Sequence, residues 1–230
     1  MEQRWFVTGD KHGKIEEVWR FIKRFGLNEG DNIIVCGDMG IFWNKDQKDA
    51  DYSMKKYEEY CNCVNLYWID GNHENFDIIN TWEKEENGLI KNSKHIFYIP
   101  RGTIMNLNIG GNTRSCLFMG GADSIDRMWR TEGISWWPQE RITEDNIKDI
   151  KGHFDYVFSH CCPYSIFNRN RAFLCMHGGE IRDITHESEL MLNKMCDTID
   201  FNMWFFGHYH INWKIEDKFQ CLYSQFIELK

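Results

Sequence analysis

Five short polar clusters, each trailing an apolar run, hold the residues of this chain best suited to chemistry. They read Gly9-Asp10-Lys11-His12-Gly13, Gly37-Asp38, Gly71-Asn72-His73-Glu74, Ser159-His160 and Gly207-His208-Tyr209-His210. Between them stand two aspartates, one asparagine and five histidines. Hard oxygens mixed with imidazole nitrogens are what a site for two divalent cations would need. The reaction such a site favours is metal-assisted hydrolysis of a phosphoester. In Asp10-Lys11-His12 a turn lets a carboxylate and an imidazole reach one ion. In His208-Tyr209-His210 residues two apart on extended backbone project to one side. A carboxylate such as Asp38, set between two cations, can hold them about 3.5–4 Å apart. Asn72 would add a neutral oxygen and leave the ions more Lewis-acidic. Singly, each cluster has a plainer explanation: a Gly-Asp turn, a core histidine, a turn leading into a capped helix. Their combination, in this order, carries the inference.

Short β-branched and aromatic runs must position these clusters. They are Trp5-Phe6-Val7-Thr8, Ile33-Ile34-Val35-Cys36, Leu66-Tyr67-Trp68-Ile69, Tyr156-Val157-Phe158 and Met203-Trp204-Phe205-Phe206. Runs that are apolar on both faces suit central strands covered on both sides. Val18, Phe21, Ile22 and Phe25 recur at helical spacing, predicting a helix over 15–25 that Gly26 stops. Further helices are expected over 50–61 and 187–196. The stretches 96–99, 114–119, 212–216 and 219–226 add strands without intervening helices, so a mixed sheet or two packed sheets is expected. Asp10, Asp38, Asn72, His160 and His208 each fall near the end of a predicted strand, where ligand sites assemble in open α/β sheets.

The chain has 230 residues, 42% apolar and 15% aromatic, with three prolines and no linker-like stretch, so a single domain over 1–230 is expected. Its polar start reads as lacking a secretory leader, and no apolar run approaches the roughly 20 residues that span a bilayer. Nine scattered cysteines, most in apolar contexts, suit a reducing, cytoplasmic setting. Cys61-Asn62-Cys63 and Cys161-Cys162 lack a second pair at zinc-knuckle spacing. The formal charge of −8 disfavours extended nucleic acid and anionic membranes but not a small phosphorylated ligand.

The ordered clusters resemble the calcineurin-like metallophosphoesterase superfamily: Asp-x-His, Gly-Asp, Gly-Asn-His-Asp/Glu, His, then Gly-His-x-His. The resemblance covers residues 9–210 and is similar to small bacterial and phage members. It implies an α/β fold, a four-layer α/β/β/α sandwich with two central mixed β-sheets, and a dinuclear centre. By the same resemblance Asp10, His12 and His210 would hold the first metal, Asp38 would bridge, and Asn72, His160 and His208 would hold the second. His73 matches the non-ligand histidine that donates to the phosphoryl or leaving oxygen. A hydroxide bridging the metals would be the nucleophile. The donor set suits manganese first, with iron or zinc as alternatives. His95, His153, His177 and His186 are read as non-ligands.

One departure concerns the second block, which continues Met39-Gly40-Ile41-Phe42-Trp43 and so lacks the aspartate and arginine of the protein phosphatases. Asp46 or Glu74 could orient His73 instead. The stretch from Gly120 to Glu140 is the most individual. Either Arg127 and Arg130 line a substrate wall with its tryptophans, or they pair with Asp123, Asp126 and Glu140 in a packed loop. Arg169 and Arg171 are a weaker candidate for phosphate contact, against a solvated loop. The leading expectation is a phosphodiesterase acting on a nucleotide-type substrate. A phosphomonoesterase is the runner-up, a nuclease less expected, and a non-catalytic scaffold the alternative from another class.

Overall fold

A computed structural model describes residues 3–43, 47–175 and 186–230. The chain runs β1 (Trp5–Thr8), α1 (Ile15–Phe25), β2 (Asn32–Val35), α2 (Gln47–Cys61), β3 (Asn65–Trp68), α3 (Phe76–Ile79), β4 (Ile90–Lys91), β5 (Ile96–Tyr98), β6 (Thr103–Ile109) and β7 (Asn112–Met119). It continues through α4 (Glu144–Ile147), β8 (Gly152–Ser159), α5 (Tyr164–Leu174), α6 (Glu187–Cys196), β9 (Ile199–Phe206), β10 (Trp213–Ile215), β11 (Phe219–Cys221) and β12 (Phe226–Glu228).

Two six-stranded mixed sheets form, ordered β12-β1-β2-β3-β5-β4 and β10-β11-β9-β8-β7-β6. Strand alternation sorts the apolar side chains into three cores. On β1 and β2, Phe6, Ile33 and Val35 face α1 and α2. Val7, Ile34 and Cys36 face the other way, against Phe118, Phe158 and Phe205 of the second sheet. Leu117, Val157, Trp204 and Phe206 point outward again, under the cluster shared with α5 and α6. Three cores between four layers give the α/β/β/α sandwich. Both sheets are covered on both faces, and that is why their central strands read as unbroken apolar runs.

Register brings the strand ends level. Thr8 pairs with Val35 and Val35 with Trp68, so three parallel strands release the chain at one edge. In the second sheet Met119 pairs with Ser159 and Ser159 with Phe206. α1 ends where expected, with Gly26 left-handed (φ 57°) and its N–H returned to the Ile22 carbonyl. The stretch 219–226 differs from the sequence expectation. It is two strands in different sheets, because the chain crosses between them after Cys221, where the Leu222 N–H still donates to the Phe206 carbonyl at 2.8 Å. β6 and α5 were not expected. β6 alternates with asparagines, and α5 buries only Ile166, Phe167 and Leu174 of its eleven residues. Among the described residues no helix is long and apolar enough to cross a membrane.

Candidate metal centre

Each aspartate is gripped by one oxygen and presents the other. Oδ1 of Asp10 accepts the His208 backbone N–H at 2.8 Å, and Oδ1 of Asp38 accepts that of His73 at 2.9 Å. Only glycine permits this approach. A Cβ on Gly207 would lie 2.1 Å from Oδ1 of Asp10, and one on Gly71 would lie 2.1 Å from Oδ1 of Asp38. The turns themselves are unusual. His12, Asp38, His208 and His210 all take positive φ, between 46° and 68°, a region non-glycine residues seldom enter. Backbone held there is characteristic of sites where the surrounding fold fixes a side chain. Lys11 and His12 N–H groups both donate to the Asp38 carbonyl, at 3.0 and 2.8 Å, locking the first two loops together.

The second oxygens face the imidazoles. Oδ2 of Asp10 lies 3.1 Å from Nε2 of His210 and 3.6 Å from Nε2 of His12. Oδ2 of Asp38 lies 3.4 Å from Nε2 of His160, 3.9 Å from that of His12 and 4.0 Å from that of His73. Asp38 therefore sits between the group containing His12 and the group containing His160. His12 and His210 bring their Nε2 atoms within 2.8 Å of each other. His160 donates Nδ1–H to the Cys36 carbonyl at 2.7 Å, which aims Nε2 at Asp38 and, at 3.1 Å, at Oδ1 of Asn72. The His208 ring packs on His160 with centroids 5.0 Å apart, and the His210 ring stacks on Tyr223 at 4.7 Å.

The charged groups of this cluster act strongly on one another. Burial alone would raise the Asp10 carboxyl, but His160, His12 and His210 hold it well below the usual carboxylate range. Asp38 is lowered likewise, against burial, by His160 and His73. Burial disfavours charge on His160, yet Asp38 and Asp10 override it and raise the imidazole to about 10. Burial, reinforced by His160, drops His208 to about 3 and leaves it neutral. Two buried carboxylates thus demand positive charge beside them. A divalent cation held by these residues would supply that charge, and its binding would favour the deprotonated His160 imidazole. Among the described residues three sets of donors each gather within 4.8 Å: Asp10, His12 and His210; His12, Asp38 and His73; and Asp10, Asp38 and His160. Oδ2 of Asp10 is buried with imidazole nitrogens beside it but no aligned hydrogen bond. An acceptor left bare among imidazoles fits a cation site.

The fold brings together all eight residues singled out in the five clusters. Arg130 joins them, its side chain 9% exposed, with Nη2 2.8 and 3.0 Å from the two ring nitrogens of His73 and Nε 2.7 Å from Asp126. Arg127 does not. It is exposed, and its guanidinium lies over the Trp136 ring at 4.2 Å, where a cation–π contact holds it. The Gly120–Glu140 stretch thus lays one arginine against His73 and keeps the other on its own packed tryptophan. Arg169 is an exposed helical residue paired with Glu216 at 3.2 Å. His73 is bordered by Trp43, stacked at 5.2 Å, a residue whose sequence context gave no signal. Glu74 does not orient His73. Its carboxyl oxygens are buried with no hydrogen-bond partner among the described residues, and burial pushes the group well up. Asp46 and His177 lie outside the described residues. His153 pairs with Asp200, and His186 packs on Phe167.

Two mixed sheets sandwiched by helices, with carboxylates and imidazoles gathered where parallel strands end, define an α/β/β/α architecture with a candidate metal centre at one edge. A family model for calcineurin-like phosphoesterases matches residues 4–212, and the chain belongs to that family. No curated protein matches it. Among solved structures it is similar to TT1561 of Thermus thermophilus, with 12% identity, a TM-score of 0.47, and coverage of 97% of this chain and 89% of that one.

Proposed function

We propose that this protein is a phosphoester hydrolase dependent on two divalent cations, manganese foremost, acting on phosphodiesters of nucleotide type. The observation that carries the reading is the pairing of Asp10 and Asp38, each anchored through Oδ1 and facing imidazoles through Oδ2. Asp10, His12 and His210 would hold one ion and Asn72, His160 and His208 the other, with Asp38 shared. When bound, such ions polarise the phosphoryl group and make water a competent nucleophile near neutral pH.

The remaining work falls to the chain's own groups. Arg130, the guanidinium against His73, would take a phosphoryl oxygen and orient the ester. His73 would stabilise or protonate the departing oxygen. Burial, Arg130 and His12 lower its pKa, so the free imidazole is held neutral against the opposing pull of Asp38 and Asp126. An anionic substrate oxygen drawing off Arg130 would restore basicity to His73 and prepare it to act as the acid. Trp43 would keep the ring in its plane. A single guanidinium beside His73, among the described residues, suits the single charge of a diester better than the double charge of a monoester.

The test is hydrolysis of bis-p-nitrophenyl phosphate against p-nitrophenyl phosphate after chelation and re-addition of each metal. The expected result is metal-dependent turnover with the diester preferred. Preference for the monoester would favour the phosphomonoesterase reading. No turnover with any divalent metal would favour a non-catalytic scaffold.

A further inference from the structure

Ser124 and Glu140 lie outside the proposed ligand set but connect to it through a short hydrogen-bond chain. Asn72 Nδ2 donates to Oγ of Ser124 at 3.2 Å. The Ser124 hydroxyl donates to Oε2 of Glu140 at 2.6 Å, and the Ser124 backbone N–H donates to Oε1 at 2.7 Å. All three residues are buried. The other acceptor within reach of the hydroxyl, the Asn72 carbonyl, is farther at 3.4 Å.

A hydroxyl has one proton to give, and an ionised carboxylate, the form Glu140 takes above about pH 7, can only accept. With that proton committed to Glu140, Ser124 meets Asn72 as an acceptor, and only the NH₂ end of the amide can face it. The opposite end, Oδ1, is then turned towards the site, 3.1 Å from Nε2 of His160. Without such a partner the two ends of an asparagine amide are nearly the same size and shape, and rotation exchanges them. We infer that Glu140 and Ser124 are positioning residues that fix the amide of Asn72 with its oxygen, not its nitrogen, presented to the cations. The inference rests on the reading of Asn72 as a ligand.

The clamp is itself braced against the strand that leads to Asn72. The Glu140 carbonyl accepts from the Ala122 N–H at 3.1 Å and from Nη2 of Arg101 at 2.9 Å. Arg101 in turn grips Oδ2 of Asp70, just beyond the end of β3, at 2.5 and 2.8 Å. Asn72 follows two residues later. One largely buried ion pair therefore sets the spacing between the amide and the carboxylate that orients it. A polar chain satisfied at every link also polarises its members, which increases the donor strength of Oδ1.

The experiment measures Mn²⁺ binding to the full chain by calorimetry, with stoichiometry from electron paramagnetic resonance, at pH 8. The chains compared are the parent, Ser124→Ala, Ser124→Thr, Glu140→Gln, Asn72→Ala and the Asn72→Ala/Glu140→Gln double variant. In Ser124→Ala and Glu140→Gln the second ion should bind about 10–100-fold more weakly while the first is unmoved. Ser124→Thr, which keeps the hydroxyl, should restore binding, and Glu140→Gln should add nothing once Asn72 is alanine. A two-ion parent whose second affinity survives Glu140→Gln, or loses equally with and without Asn72, overturns the orienting role alone. A parent that takes up fewer than two ions overturns the two-cation reading and this inference with it. If Ser124→Ala melts below the assay temperature, the near-isosteric Glu140→Gln and its cycle with Asn72→Ala still decide the matter.

Discussion

His73 meets Asp38 at both oxygens but holds only one: its backbone N–H donates to Oδ1 at 2.9 Å, while its ring Nε2 lies 4.0 Å from Oδ2. The grip on the carboxylate comes from the main chain, and the side chain is left for other work. His208 grips Asp10 in the same manner, so Asp38 is fixed by the loop after the neighbouring strand β3 and Asp10 by the loop after β9 of the other sheet.

Because the grip is through the backbone, His73→Ala should leave the donors in place. Ion content should match the parent, while turnover falls by about 10²–10⁴-fold, with the larger losses for poorer leaving groups. Elemental analysis and rates on a graded series of aryl and alkyl diesters check both halves. Parental rates across the series would remove His73 from the mechanism.

Asp38→Asn puts a neutral amide between His12 and His160 in place of the carboxylate proposed to be shared. One ion should be lost at micromolar metal, as measured by equilibrium dialysis. Retention of two ions at parental affinity would show that Asp38 is not the bridge.

Arg130→Met removes the cation beside His73. A positive neighbour disfavours the imidazolium, so the His73 pKa should rise from its depressed position towards the ordinary histidine value. An NMR titration of labelled histidine reads this directly. KM for the diester should rise as well. A midpoint that stays or falls would mean that Arg130 does not depress the His73 pKa.

Burial raises the Glu140 carboxyl from 4.5 to about 7, against the pull of the two Ser124 donors. The folded chain therefore holds this proton more tightly than the unfolded one. The resulting stabilisation is full below pH 4.5 and is lost as pH rises through 7. Urea unfolding of the parent and Glu140→Gln from pH 5 to 8 should show the parent losing ground with pH, by up to about 3 kcal/mol. A difference that is flat with pH, or grows in the parent's favour, would contradict the assignment.

Asp70 is fully buried and pairs with the largely buried Arg101, and Tyr98 donates to its remaining oxygen at 2.8 Å. Arg101→Met would leave that carboxylate without its counter-ion, at a cost of about 3–5 kcal/mol. Chemical denaturation measures it. A loss under about 1 kcal/mol would mean that Asp70 finds another partner or takes up a proton.

The sequence by itself determined the clusters, the strands that carry them and the helices over 15–25 and 187–196. Each depends on residues close in the chain: apolar runs, helical spacing and a stop at Gly26. It also determined the family, because the five blocks keep their order whatever lies between them. Tertiary structure decided the rest. Trp43 meets His73, Ser124 meets Asn72, and Arg130 rather than Arg127 turns inward, all across gaps that no local pattern spans. The split of 219–226 between two sheets is likewise invisible locally, since both halves read as strand and only pairing partners tell them apart. Side-chain type can be read one residue at a time, but the direction in which a loop delivers it is set by what packs beneath.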